Sequence, residues 1–272
     1  MSKVLKALKA VSLILQRPVL LNRVLQEPDL WKEHVGRQHN MQQGLPVVNP
    51  THLFGADYQE KLHLFTFLDG GSLVTDIALL KGLARQFPQC RYFEIGTWRG
   101  ESAVNLAQVA SEVYTLNLPD DELRKIGVSD ASIKQQSLFS KRIENITHLK
   151  SHSAKFDFSS TGKKFDLVFI DGSHHYEDVK NDTEKVFKHL IHDQSVVVWH
   201  DYSVTPEDIR YEVFAGILDG LPHEAHQYLY HVAHTKSAIF YRKKLETGRL
   251  TTPVNPDHYY SVDIKYNSIE NR

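Results

Sequence analysis

Three short runs hold the residues whose types and spacing could do chemistry. Asp171-Gly-Ser-His-His-Tyr176 sets a carboxylate just before a histidine pair, and His200-Asp201-Tyr202 repeats the acid–imidazole combination further on. An imidazole exchanges protons near neutral pH and a nearby carboxylate can fix its tautomer, so His174 is the first candidate for a general base, with His200 the alternative. The same atoms could hold a divalent ion. Asp171 and Asp201 with waters suit a hard cation such as magnesium, whereas an imidazole from His200 would tilt the site toward a softer metal. The third run, Glu94-Ile-Gly-Thr-Trp-Arg-Gly100, follows an apolar stretch and precedes a helix pattern. Gly96 can take backbone angles closed to other residues. Gly100 lets the chain approach a ligand at a helix start, where free N–H groups favour polar or anionic atoms. The spacing departs from the dinucleotide fingerprint G-x-G-x-x-G, because an acid takes the first glycine position and the last glycine comes one residue late. Glu94 would repel a pyrophosphate, and the turn suits a ribose or a carboxylate.

These runs need a scaffold that brings them to one edge. Apolar strand patterns lie at 91–95, 112–116, 146–150, 165–170 and 195–199, with helical patterns between them and a closing strand pair near 228–233 and 237–241. Alternation of strand and helix predicts an α/β fold: a Rossmann-like, doubly wound, mostly parallel seven-stranded sheet with an antiparallel edge strand. Ligands in such sheets lie over the carboxyl ends of the strands. That rim would gather Glu94, Gly96 and Gly100, then Asn117 about 20 residues beyond Gly96, then His152 and Ser153, then Asp171 and His174, then His200 and Asp201. Nucleotide-binding folds usually carry a carboxylate on the ribose hydroxyls at the position of Asn117, and an amide can still accept one of those bonds.

The expected organisation is an N-terminal helical arm or cap over 1–70, a nucleotide-binding domain over 71–245 and a tail over 246–272. The first 15 residues imitate a signal peptide, but lysines recur within the apolar pattern and no small-residue cleavage site follows, so an amphipathic helix is expected. Its apolar face would pack on protein, on this chain or a second subunit, with membrane contact as a minor reading. No stretch is long enough to span a bilayer. The chain has 272 residues, 41% hydrophobic and 24% charged, with a net charge of -1, which gives no electrostatic argument for nucleic acid. The single cysteine, Cys90, excludes an internal disulfide framework. It reads as a small buried hydrophobe and is compatible with a reducing, cytoplasmic setting. The long arm suggests a homodimer.

Taken together, Phe93-Glu-Ile-Gly-Thr-Trp-Arg-Gly100, Phe169-Ile-Asp-Gly-Ser-His-His-Tyr176 and Trp199-His-Asp-Tyr202 resemble the class I S-adenosylmethionine-dependent methyltransferases, in particular the small-molecule O-methyltransferase branch. The resemblance covers about residues 72–242. It implies that Glu94, Gly96 and Gly100 hold the methionine moiety of S-adenosylmethionine, with Glu94 near its ammonium. It places Asn117 at the ribose and His152 with Ser153 at the adenine, where the family usually has acidic residues. In metal-dependent relatives carboxylates after the fourth and fifth strands grip magnesium, and Asp171 and Asp201 match them. The implied activity is methyl transfer to a hydroxyl of a small acceptor, a sugar or secondary metabolite. Two alternatives stand beside it: a same-fold hydroxylase-like protein with iron on His174, His200 and Asp201, or a non-catalytic cofactor-binding or assembly protein.

Overall fold

The computed structural model describes residues 3–18, 28–251 and 253–269. Among these, the chain order is α1 (Lys3–Gln16), α2 (Pro28–His39), β1 (Val47–Val48), α3 (Pro50–Phe54), α4 (Val74–Ala84), β2 (Arg91–Ile95), α5 (Glu101–Leu106) and β3 (Glu112–Asn117). There follow α6 (Asp120–Lys125), α7 (Asp130–Lys134), β4 (Ile146–Lys150), β5 (Phe165–Ile170), α8 (Tyr176–His189) and β6 (Ile191–Trp199). A small pair, β7 (Ser203–Thr205) and β8 (Asp208–Ile209), precedes α9 (Tyr211–Asp219), β9 (Leu229–Val232) and β10 (Ala238–Phe240).

The near-continuous apolar runs of β5 and β6 belong to strands covered on both faces, and they sit at the centre of the sheet, whose order is β1-β9-β10-β6-β5-β2-β3-β4. Successive side chains on a strand point to opposite faces. Phe93, Val168, Val197 and Trp199 therefore pack under α8 and α9, while Tyr92, Leu167, Phe169 and Val198 pack under α4 and α5. The one polar atom of the Trp199 side chain, its indole N–H, donates to Thr183 Oγ1 at 2.9 Å. Cys90 is buried as expected, and burial pushes its thiol up to about 12.

The expected doubly wound sheet forms with two differences. It has eight strands, because Val47–Val48 of the arm adds parallel to β9. Pro46 and Pro50 flank this strand and have no N–H to extend a ladder, although the Pro46 carbonyl accepts from His231 N at 2.9 Å. The antiparallel strand, β10, lies inside the sheet, paired with β6 on one side and β9 on the other. The tight β9–β10 hairpin folds β10 back between its neighbours, which a linear reading of the strand pair does not reveal.

Register decides what meets at the rim. Ile95 pairs with both Leu116 and Ile170, and Ile170 with Trp199, so β2, β3, β5 and β6 end at one level. The residues that follow them emerge side by side.

The arm is docked through α2 against α9. His34 and His39 of α2 hold opposite oxygens of Asp219 at 2.8 Å and 2.7 Å, and Tyr176 donates its hydroxyl to the same carboxylate at 2.7 Å. Trp31 stacks on Tyr176 at 4.6 Å. Burial opposes ionisation of Asp219, but the Tyr176 hydroxyl and the two imidazoles outweigh it and lower its pKa. A carboxyl whose folded pKa is depressed stabilises fully above its unfolded pKa of about 3.9 and loses that contribution as pH falls toward the folded value. We expect Asp219→Asn to cost about 1–2 kcal/mol in denaturant unfolding at pH 7, and the gap to the parent to close below about pH 4. A parent and variant that unfold alike at pH 7 would show that this carboxylate does not hold the arm.

Candidate functional site

At the end of β2, Glu94 is fully buried. Its Oε2 accepts from Tyr92 Oη at 2.8 Å and Ser102 Oγ at 2.9 Å. Its Oε1 has no partner. Burial raises the Glu94 pKa to about 8 despite those two hydrogen bonds, and the charge of Asp171 adds to the rise. Such an orphaned, buried carboxylate oxygen costs free energy until a donor or cation meets it. Close by, Thr97 Oγ1, Trp98 Nε1 and Ser140 Oγ are also buried without partners.

The turn after Glu94 is built for close approach. Gly96 has φ +94°, and a Cβ there would fall 2.0 Å from the Asp171 carbonyl oxygen, because the ends of β2 and β5 are pressed together. Gly100 has φ +85°, with Ser140 Oγ 2.2 Å from where its Cβ would be. Two segments hold this turn. On one side Ser137 N donates to the Trp98 carbonyl at 2.6 Å and Phe139 N to that of Arg99 at 3.0 Å. On the other, the arm is stitched down: Glu101 Oε1 accepts from Thr66 N at 2.9 Å, Arg99 donates to the Asp69 carbonyl at 3.1 Å, and Asn105 Oδ1 accepts from His63 N at 2.8 Å.

After β3 and β4 the expected residues make local bonds. Asn117 Nδ2 donates to Gln136 Oε1 at 2.6 Å, which commits its amide nitrogen. His152 Nδ1 accepts from Ala154 N at 3.1 Å. Ser153 bonds to Asp182 of α8, whose carboxyl is pushed up to about 6 by burial. A buried acid thus lies behind Ser153 where the loop itself has none.

The ends of β5 and β6 carry the densest charge. Ligand atoms of Asp171, His200 and Asp201 all lie within 4.8 Å of one another. His200 Nδ1 is 2.9 Å from Asp171 Oδ1 and 3.5 Å from Asp201 Oδ2, yet it is buried without an aligned hydrogen bond. Its other nitrogen, Nε2, is 3.2 Å from Asp76 Oδ2. Asp76, wholly buried at the start of α4, also accepts from Leu73 N, Lys236 N and Ser237 Oγ. Burial alone would keep His200 neutral, but Asp171, Asp201 and Asp76 outweigh it and raise its pKa well above the ordinary value. Burial likewise opposes charge on Asp201, yet His200 and Lys236 hold its carboxyl well below the usual range. Lys236 Nζ is 2.7 Å from Asp201 Oδ1 and Arg210 NH1 3.8 Å from Oδ2. Asp201 itself has φ +55°, a left-handed conformation that aspartate tolerates.

The structure therefore brings together Asp171, His200 and Asp201, with Glu94 and Gly96 against Asp171. It does not bring His174 into that cluster. The iron set His174, His200 and Asp201 is accordingly not assembled. His174 is exposed and leans on His175 at 5.1 Å; the protein around the ring, and then the Arg210 cation, lower its pKa. Asp171, Asp201 and Asp76 all favour the imidazolium form of His200, which opposes its expected role as a general base. The sequence reading missed Asp76, Arg99, Glu101, Asp182, Arg210 and Lys236. A signal existed only for Asp76, an acid at the start of an otherwise apolar helix.

Residues 93–202 match the family model of a methyltransferase domain. No curated protein shows significant sequence similarity to this chain. Among solved structures, it is similar to the S-adenosylhomocysteine-bound methyltransferase PaMTH1 of Podospora anserina: 14% identity and TM-score 0.43 over 64% of this chain and 81% of that one. It is also similar to CalS11, a TDP-rhamnose 3'-O-methyltransferase of calicheamicin biosynthesis, at 13% identity and TM-score 0.43 over 62% and 80%. A third, the mycinamycin-pathway methyltransferase MycE, solved with Mg, S-adenosylhomocysteine and mycinamycin VI, gives 18% identity and TM-score 0.38 over 64% and 50%. Likeness at this level assigns no substrate or metal to this chain.

The orphaned Glu94 gives a pH signature. A carboxyl whose folded pKa lies above its unfolded value makes the folded state bind the extra proton, so stability falls as pH rises from about 4.5 to about 8. We expect Glu94→Gln to abolish that slope in the ligand-free protein, leaving the variant more stable than the parent above pH 8 in thermal melts. A parent whose melting temperature ignores pH across this window would contradict the assignment.

Proposed function

We propose that this protein is an O-methyltransferase acting on a hydroxyl of a small acceptor, a sugar or secondary metabolite, with S-adenosylmethionine as donor. The observation that carries this reading is the orphaned Glu94 Oε1 beside the Gly96–Gly100 turn. A cationic amine fits a buried carboxylate oxygen with no partner, and Gly96 and Gly100 leave the backbone bare where a ligand must come close. Asn117 Oδ1 takes a ribose hydroxyl, and His152 with Ser153, backed by Asp182, faces the adenine. When bound, the cofactor supplies an electrophilic methyl on a sulfonium.

The chain's own task is to hold an acceptor oxygen in line and to receive its proton. His174 is the base we assign. Its lowered pKa leaves it neutral at pH 7, and it stands near Asp201 and Arg210 at the mouth of the cluster. Its exposure lets the proton pass on to water. Asp171 and Asp201 could hold a divalent cation, joined by His200 Nδ1 once the ion has displaced its proton, with Asp76 on Nε2 as the outer carboxylate that commonly orients a ligating imidazole. A cation there would grip acceptor oxygens. Two carboxylates admit magnesium, while the imidazole favours a softer ion such as manganese or zinc. A metal-free reading is favoured by one observation: Lys236 and Arg210 already compensate Asp201. On this proposal the protein acts in the cytoplasm as a homo-oligomer and binds no nucleic acid.

Calorimetric titration with S-adenosylmethionine is the test. We expect micromolar binding to the parent and at least tenfold weaker binding to Glu94→Gln, from loss of a charge-assisted bond. Gly96→Val should bind nothing. No heat with the parent would leave the assembly-protein reading in place. Repeating the titration with chelator, then magnesium, manganese or zinc, on the parent and on Asp171→Asn separates the metal-assisted site from the metal-free one.

A further inference from the structure

The helix α1 presents an unsolved problem of surface. None of its side chains is buried. Val4, Leu8, Val11 and Leu15 recur at spacings of four, three and four residues, which places them on one face of an α-helix. They are exposed to 67%, 65%, 55% and 77%. Lys6 and Lys9 lie on the opposite side. An isolated helix shorter than about 12–15 residues is marginal in water, so this one needs a surface to lie on.

The charge pattern selects the surface. Residues 1–26 contain Lys3, Lys6, Lys9, Arg17 and Arg23 and no Asp or Glu, in a chain whose net charge is -1. A second copy of α1 would bring like charges together, and the apolar seam ends at Pro18 after about two heptads, fewer than the three or four that a coiled coil needs. No described helix is long and apolar enough to cross a membrane. A basic amphipathic helix of this kind lies in the plane of an anionic lipid surface, apolar face down and lysines among the headgroups.

We propose that α1 is a lipid-docking element that places the protein on anionic membrane surfaces. This goes beyond the methyltransferase reading and does not depend on it. Docking uses Val4, Leu8, Val11 and Leu15 for insertion and Lys3, Lys6 and Lys9 for headgroup attraction. All of these side chains are exposed, so the rest of the fold tolerates their replacement.

The experiment is co-sedimentation of the full chain with vesicles of phosphatidylcholine alone and of phosphatidylcholine containing phosphatidylglycerol. We expect binding only to the anionic vesicles, weakening as salt rises. The double variant Lys6→Gln and Lys9→Gln should bind roughly thirty-fold more weakly, about fivefold per lysine. Leu8→Glu with Val11→Glu should not bind. Both variants should keep the parent's melting temperature and its affinity for S-adenosylmethionine, which shows that the domain is intact. Equal binding to neutral vesicles, no binding to either, or binding retained by Leu8→Glu with Val11→Glu would overturn the proposal. So would a dimer in light scattering that the same variant dissociates without lipid, since the apolar face would then be covered by a second copy.

Discussion

Three aspartates share one largely buried corner of this protein, and the rest of the site follows from how their charges are balanced. Asp76, Asp171 and Asp201 all face His200. Left unpaired, such carboxylates would take up protons or resist burial. The imidazolium answers all three at once, and Lys236 answers Asp201 from the β9–β10 turn. Each partner comes from a different element: the first helix of the domain, two central strand ends and the terminal hairpin. The corner therefore closes only when the sheet is complete, which makes it a check on correct assembly as well as a site.

The neighbouring corner works on the opposite principle. Around Glu94 burial dominates, the Asp171 charge adds to it, and the carboxyl is raised to about 8 with its Oε1 unbonded. One rim thus carries a compensated cluster and an uncompensated acid, separated by the contact of Gly96 with the Asp171 backbone. Environments that push ionisable groups apart in this way are how a single fold assigns different duties to chemically similar side chains.

Much of this was legible in the sequence. The β-branched and aromatic runs at 91–95, 165–170 and 195–199 are long and apolar enough to be central strands. Once they are parallel, Asp171 and Asp201 must meet at their ends. What could not be read depends on distant contact. Asp76 looks like an ordinary acid in a first helical turn, and nothing local indicates that it lies under His200. Lys236 sits in a polar turn whose partner is 35 residues earlier in the chain. The strand at Val47–Val48 is too short to announce itself between two prolines. The direction in which His200 is shifted is a property of its three carboxylate neighbours, so its residue type alone does not indicate it.

The bonds from 63–69 to Arg99, Glu101 and Asn105 have a thermodynamic corollary. These bonds tie the segment that leads into the domain to Arg99 of the glycine turn and to the helix that follows it. Any molecule that tightens the turn must tighten the arm by the same free energy, and anything that restrains the arm must return that energy to the turn. A ligand that orders the turn and a contact that orders this segment would each favour the other.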